Sequence, residues 1–389
     1  MPTIVPTTKN ILVVAGDSSG DLAAADLIKA LKDKAPDIYV AALGGTRMQK
    51  VSDRFIYNIV AVGAAGFSEP VKHFFLWAKL IRLVRRFLEE RHPACVIAVD
   101  FYGFNHQVLG LAAHRKIPAY YYISPQVWAT RPGRVGSIAR LVRHMMTILP
   151  FEEPIYKKTG VPCTFVGHPL LDILPEPVEP ANRNGTGYVW KIGLLPGSRP
   201  DEISRHLPLF LNAFAGIKKI FPGAAAHVFA VPELSDQRIK VLAERAGAGL
   251  PAEAVTVVRE NDYSMRSKMD FSFTSSGTAT LENGLLGVPM VVAYKMPRLT
   301  HFIARKIIMV PWISLVNILS GREIVKEFVQ ESATPEALSG KALSLMMEPG
   351  RLESMRTELL SLRKLLGKPG VAIRAAGIIL EGQPSLMQH

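Results

Sequence analysis

Short apolar runs recur along this chain, each closing on small or acidic residues and each followed by a stretch of helical period. Residues 11–15 (ILVVA) close on Gly16-Asp17-Ser18-Ser19-Gly20-Asp21, and a helix is predicted over about 22–32. Residues 39–43 close on Gly44-Gly45. A long helix is predicted over 71–91, then a strand over 95–99 (CVIAV) closing on Asp100, and another over 119–123 closing on Ser124-Pro125. Strands alternating with helices form parallel βαβ units. In such sheets the ligand site lies beyond the carboxyl ends of the strands. Asp17, Gly44, Asp100 and Ser124 all fall at such ends, with Ser19 and Gly20 in the first turn.

The chain has 389 residues, more than one compact core accommodates, so two domains are expected. Residues 173–190 (ILPEPVEPANRNGTGYVW) are rich in Pro, Asn and Gly, lack any period, and read as a linker. A second alternation starts at 191–195 (KIGLL) and continues through 226–231 and 255–258. The fold class is therefore α/β, with two Rossmann-like domains at 1–172 and 191–389. The stretch from about Pro335 onward is helical in pattern.

Two segments of the second half carry chemistry. Residues 269–273 (MDFSF) read as a short strand. Thr274-Ser275-Ser276-Gly277-Thr278-Ala279-Thr280-Leu281-Glu282 then reads as a small-residue turn opening a helix, with an acid one turn in. Free N–H groups at such a helix start can hold a diphosphate, and Glu282 is then placed to accept hydrogen bonds from a ribose. An ordinary helix capped by Ser or Thr fits the same residues. The strand at 191–195 closes on Pro196-Gly197-Ser198-Arg199. Pro-Gly is a strong turn signal, and Arg199 is either a bidentate phosphate ligand or a surface residue on a turn.

Asp100 ends a buried strand. Desolvation can raise such a carboxyl into the range of a general base; the alternative is an N-cap for the next helix. His168, in Val166-Gly167-His168-Pro169, is a second-tier site residue beside the linker.

The formal net charge of +13 calls for an anionic partner. No basic tail, zinc finger or RNP-like motif favours nucleic acid. The basic residues stand among aromatic and aliphatic ones instead. In residues 71–88, Lys72, Lys79, Arg82 and Arg86 share one helical face, alongside Phe74, Phe75 and Trp77. This fits a helix lying in lipid headgroups, although a core helix with a solvated basic face has the same pattern. Residues 301–312 (HFIARKIIMVPW) have the same character. Two distant cysteines, Cys95 and Cys163, argue against a disulfide framework and fit a reducing cytoplasm. We expect no signal peptide and no transmembrane helix. No DxD motif, GxGxxG fingerprint or P-loop is present, so no metal-bridged sugar nucleotide, dinucleotide cofactor or NTP hydrolysis is expected.

Taken together, these segments resemble the lipid-A-disaccharide synthase family, metal-independent glycosyltransferases of the GT-B fold in which two Rossmann-like domains face each other across a cleft. The resemblance runs from about residue 11 to 330 through an ordered set of stretches. These are residues 16–21 (GDSSGD), 45–48 (GTRM), 124–129 (SPQVWA), 149–152 (LPFE), 165–169 (FVGHP), 195–199 (LPGSR), 276–282 (SGTATLE) and 314–321 (SLVNILSG). The ordered set is specific where its members are not.

The resemblance implies an inverting hexosyltransferase. It would join UDP-2,3-diacylglucosamine to 2,3-diacylglucosamine 1-phosphate through a β(1→6) bond, releasing UDP, without a cofactor, in lipid A biosynthesis. It implies Asp100 as the essential acid, a base for the acceptor hydroxyl. It implies Arg199, next to Ser198, at the donor diphosphate, and Ser276, Gly277, Thr278, Ala279, Thr280 and Glu282 in the nucleotide pocket, with Asn317 lining the same cleft. It also implies a peripheral protein on the cytoplasmic face of the inner membrane, where oligomers are possible. The alternatives are another GT-B enzyme acting on UDP-N-acetylglucosamine and a non-catalytic lipid- or nucleotide-binding relative. Three positions depart from the family pattern. Asp17 stands where the family usually has Glu, Gly103 where it commonly has Asp, and Leu315-Val316-Asn317 where it has Leu-Pro-Asn.

Overall fold

The computed structural model describes residues 9–61, 70–126, 128, 133–179, 188–231, 234–260, 262–298, 300–302 and 310–387. They fold as two units, residues 1–172 with 366–389, and residues 173–365.

The first unit is built on a seven-stranded sheet. Its strands are β1 (Asn10–Ala15), β2 (Tyr39–Gly44), β3 (Arg54–Asn58), β4 (Cys95–Val99), β5 (Ala119–Tyr122), β6 (His144–Thr147) and β7 (Cys163–Phe165), in the order β3-β2-β1-β4-β5-β6-β7. All pairs are parallel, with Ile11 opposite Val40 on one side and Cys95 on the other. Both faces are covered, which explains why β1 and β4 are apolar throughout. Ile11, Val13 and Ala15 point into one core layer, and Leu12 and Val14 into the other. The first layer holds the helix Ser18–Lys34, and the second the helices Pro70–Arg91 and Tyr102–His114.

The first layer also holds the C-terminal helix Val371–Gly382, whose Val371, Ala375, Ala376 and Ile379 are fully buried there. The division of the chain therefore differs from the expected one, in which 191–389 formed a single domain. The apolar stripe of this last helix is buried beside Ala24 and Tyr120, far away in sequence. Gly382 lies against the Tyr120 hydroxyl, where a Cβ would come within 2.2 Å, so this approach needs glycine.

The second unit holds a six-stranded parallel sheet. Its strands are β8 (Lys191–Leu195), β9 (Ala225–Phe229), β10 (Val255–Val258), β11 (Phe271–Ser275), β12 (Met290–Tyr294) and β13 (Glu327–Val329), ordered β10-β9-β8-β11-β12-β13. The strand expected at 269–273 begins two residues later, because the Asp270 carboxylate accepts the Lys191 N–H (2.9 Å) and the Tyr188 hydroxyl (2.6 Å) ahead of the ladder.

In each sheet the chain turns in opposite directions from two adjacent central strands, β1 and β4 in the first, β8 and β11 in the second. Such a switch point opens a crevice at the carboxyl ends of the strands, where open α/β sheets bind ligands.

Candidate active site

The switch point of the first unit brings Asp17 and Asp100 together. Asp17 follows β1 and is the N-cap of the helix Ser18–Lys34, accepting the Gly20 N–H (2.6 Å) and the Ser19 hydroxyl (3.1 Å). Asp21, one turn on, is buried and accepts the N–H groups of Gly45, Arg47 and Met48, which ties the turn after β2 to the same edge.

Asp100 follows β4 in an unusual backbone. Asp100 and Phe101 both have φ of 47°, a left-handed conformation that non-glycine residues adopt at a cost and that structure must enforce. Here the enforcing groups are side chains. Asn105 donates its amide to the carbonyls of Asp100 (2.8 Å) and Val99 (3.0 Å), and the Tyr121 hydroxyl donates to the Asp100 carbonyl (2.6 Å). Ile123, at the end of β5, also has a positive φ of 64°.

Asp100 keeps some exposed surface, yet burial of its carboxyl is the main reason its pKa lies well above the ordinary carboxylate range; the neighbouring Asp17 charge adds to the rise. Two close carboxylates in a poorly solvated corner do not both ionise readily. A Cβ at Gly103 would meet open space.

Sequence reasoning missed one member of this corner. Glu152, just after Leu149-Pro150, is 1% exposed. It accepts the Trp128 indole N–H (2.9 Å) and the Leu149 N–H (3.1 Å), and burial pushes its pKa up to about 7. It pins the Trp128 ring, four residues after the buried Ser124. The 149–152 stretch was a visible signal, but a carboxylate aimed inward is legible only once β6 is placed.

The helix Pro70–Arg91 carries the residues expected to face lipid. Phe75 is 68% exposed, and Lys79, Arg82 and Arg86 are exposed; the Phe74 side chain lies outside the described residues, as do residues 303–309 of the second basic stretch. Arg86 is paired with Glu90. Trp77 departs from the expectation. It packs against Phe101 (5.6 Å between ring centres) and Phe104 (5.2 Å), so it links this helix to the Asp100 kink. Trp77, Ala78, Ile81, Arg82, Arg85 and Gln107 line an open hollow of about 600 Å³.

In the second unit, the turns after β8 and β11 lie side by side. Arg199 is the N-cap of the helix Pro200–Ile220, and Gly277 that of the helix Thr278–Leu286; neither receives a side-chain cap bond. Pro200 has no N–H to offer, so the free N–H groups are those at the start of the helix Thr278–Leu286, where the helix dipole favours an anion. Gly197 (φ 117°) and Gly277 (φ 149°) supply conformations closed to other residues. Arg199 has 74% of its side chain exposed and a loose contact with Glu202 (3.3 Å), so its guanidinium is available. Ser198 is exposed beside it, and Thr278 and Ala279 open the second helix. Ser276 and Thr280 are used locally: Ser276 donates to the Ile313 carbonyl (2.7 Å) and Thr280 to the Gly277 carbonyl (2.8 Å).

Glu282 accepts the Tyr263 hydroxyl (3.1 Å) and is ion-paired with Arg266. Arg266 stacks under Tyr263 and Phe229, with Glu260 at 3.8 Å. Two acceptor positions remain on the Glu282 carboxylate beyond the Tyr263 and Arg266 bonds.

Two expected site residues turn out to be spent inside the protein. Asn317 is fully buried. Its amide donates to the Val325 carbonyl (2.9 Å) and Glu327 (2.8 Å), and its oxygen accepts the N–H groups of Ile324 (2.8 Å) and Val325 (3.0 Å). That is its full capacity, so it clamps the loop rather than lining a pocket. His168 is buried, accepts the Leu170 N–H on Nδ1 (3.2 Å), and is pushed down by burial to a pKa of about 3; it shapes a turn. Among the described residues, no group of three or more His, Cys, Asp or Glu is gathered as a metal site.

Comparison with known proteins adds sequence to this geometry. Residues 11–370 match the family model for lipid-A-disaccharide synthetase. The lipid-A-disaccharide synthase of Trichlorobacter lovleyi is 35% identical over 96% of this chain and 97% of its own length, and that of Geobacter metallireducens is 34% identical over the same shares. Among solved structures, a UDP co-structure of MnaA from S. aureus superposes with a TM-score of 0.66 at 11% identity, covering 98% of both chains. At that identity the likeness shows the fold alone.

Proposed function

The chain belongs to the lipid-A-disaccharide synthetase family, and from that premise we propose how its residues divide the work of the transfer. It is a hexosyltransferase of lipid A biosynthesis with the GT-B fold, which takes a UDP-sugar donor and a lipid acceptor. The reaction joins UDP-2,3-diacylglucosamine to 2,3-diacylglucosamine 1-phosphate, with release of UDP.

Asp100 is the base that takes the proton from the acceptor hydroxyl as that oxygen attacks the anomeric carbon. The observation that carries this reading is the enforced kink at Asp100, which a mere helix cap does not need. A base must be near neutrality in strength to act in the physiological range, and the raised pKa of this carboxyl fits. Asp17 shares the corner and tunes Asp100, and Glu152 holds Trp128 and the Leu149 N–H.

The leaving diphosphate accumulates charge as the bond to the sugar breaks. Arg199, Ser198 and the N–H groups of Thr278 and Ala279 meet that charge, and Gly277 lets the phosphates approach the backbone. Glu282 holds the ribose. The helix Pro70–Arg91 rests on an anionic membrane surface through Phe75, Lys79 and Arg82, which brings the unit to its acylated substrates. Among the described residues no helix is long and apolar enough to cross a membrane, so peripheral docking on the inner membrane is the reading we adopt.

The deciding experiment is UDP release with both acylated substrates. Acceptor-dependent release with a disaccharide product supports the assignment, whereas turnover of plain UDP-N-acetylglucosamine without the acceptor overturns it.

A further inference from the structure

His206 is the one fully buried histidine of the helix Pro200–Ile220, and both of its ring nitrogens are committed to backbone. Nε2 accepts the Lys295 N–H at 2.8 Å. A backbone N–H can only donate, so Nε2 carries the lone pair and Nδ1 the hydrogen. That hydrogen is then donated to the Pro196 carbonyl at 3.0 Å. The ring lies against Phe210 (centres 6.0 Å apart, 17° between planes) and Tyr294 (5.2 Å, 36°). Burial holds its pKa below the ordinary histidine value, which keeps the ring in the neutral form that both bonds require.

The two anchor points matter because of where they sit. Pro196 opens the turn that carries Ser198 and Arg199. Lys295 is the first residue after β12. The sheet order is β8-β11-β12, so the imidazole ties the exit of β8 to the exit of β12, the two strands that flank β11. Gly277, which opens the helix Thr278–Leu286, follows β11. Further ties run alongside. The Tyr294 hydroxyl donates to Glu202 (3.3 Å), which also meets Arg199, and Met296 exchanges two hydrogen bonds with the Gln330 side chain.

We propose that His206 is a positioning residue for the donor diphosphate, a clasp whose two hydrogen bonds fix the Pro196–Arg199 turn against the segment after β12 and so set the width of the anion site between them. The inference rests on the reading of Arg199 as the diphosphate ligand. His206 touches no substrate; it acts through the backbone of the turn.

The test compares His206→Phe, which keeps the stacking but lacks both bonds, with His206→Gln, whose amide can donate to Pro196 and accept from Lys295. Donor and acceptor KM, and UDP inhibition, are measured for each alongside Arg199→Ala. We expect His206→Phe to raise the donor KM and UDP Ki about tenfold, equivalent to about 1.4 kcal/mol, with the acceptor KM unchanged. We expect His206→Gln to recover most of the loss. A folded His206→Phe protein with a wild-type donor KM overturns the proposal, as does an equal loss toward donor and acceptor. If Arg199→Ala itself leaves donor binding unchanged, the diphosphate reading of the turn fails. If it impairs binding while His206→Phe does not, only the clasp fails. Should His206→Phe not fold, amide hydrogen exchange of the wild-type protein decides: UDP should slow exchange at Lys295, and no change there overturns the clasp.

Discussion

The Tyr121 hydroxyl, on the strand beside Asp100, donates a 2.6 Å hydrogen bond to the Asp100 main-chain carbonyl. Tyr121 is otherwise buried to its full depth, so the bond delivers a polar tip from the core to the left-handed backbone at Asp100. Tyr121→Phe removes the hydroxyl and nothing else. A buried carbonyl losing one of its donors costs about 1 kcal/mol of stability, and Asn105 still reaches the same oxygen. Turnover should fall about tenfold with donor KM unchanged. Full turnover in Tyr121→Phe would show that the kink does not depend on this bond.

Asp100→Asn should abolish disaccharide formation by a factor of about 10² to 10⁴, the usual contribution of a general base, while UDP binding persists. Steady-state assays and UDP titration read the two effects separately, and a variant retaining full activity would remove Asp100 from its assigned role.

The pH dependence follows from the raised pKa of Asp100. The base works only when ionised, so the acid limb of kcat should lie above the ordinary carboxylate range rather than near pH 4. Stability has the opposite sign. The folded state holds this proton more tightly than the unfolded chain does, so between the ordinary aspartate value of 3.8 and the raised folded value the native protein binds more protons. Stability contributed by that proton is present at low pH and is lost as pH rises through this window. In Asp100→Asn both dependences should flatten, which denaturant titrations at a series of pH values would register.

Asn317→Ala should damage the fold rather than ligand binding. It removes the Asn317 partner of the Val325 carbonyl and of the Ile324 and Val325 N–H groups, while the Glu327 carboxylate keeps Ile313 and Ser314 as donors, at a cost of about 2–3 kcal/mol. For a unit of this size that lowers the melting temperature by roughly 4–12 °C. A donor KM raised at least tenfold with no change in melting would instead return Asn317 to the pocket.

Lys79 and Arg82 are exposed and make no ion pair among the described residues, unlike Arg86. Reversing both charges (Lys79→Glu with Arg82→Glu) should weaken binding to vesicles containing anionic lipid, by about 1 kcal/mol for each basic residue lost at the surface. Binding of the wild type should decline as salt is raised. Cosedimentation that ignores both salt and these substitutions would count against electrostatic docking by this helix.

Much of this was legible before any coordinates. The runs at 11–15, 95–99 and 191–195 became central strands, because residues buried on both faces of a parallel sheet must all be apolar. The short strands β6 (HMMT) and β7 (CTF) escaped notice, since three or four residues with methionine and cysteine carry little strand signal of their own. β6 exists because β5 offers it an edge, and β7 because β6 does.

The sequence alone determined which residues stand at strand ends, since that follows from local apolar runs and the turns closing them: Asp17, Asp100, Arg199 and Gly277 were all identified in this way. Tertiary structure alone decided which strand ends are neighbours, that Asp100 sits in an enforced kink, that Asn317 and His168 are consumed internally, and that the helix Val371–Gly382 returns to the first unit. Each of those outcomes depends on hydrogen-bond and packing partners distant along the chain, and a side chain's free donors and acceptors can be counted only when those partners are in place.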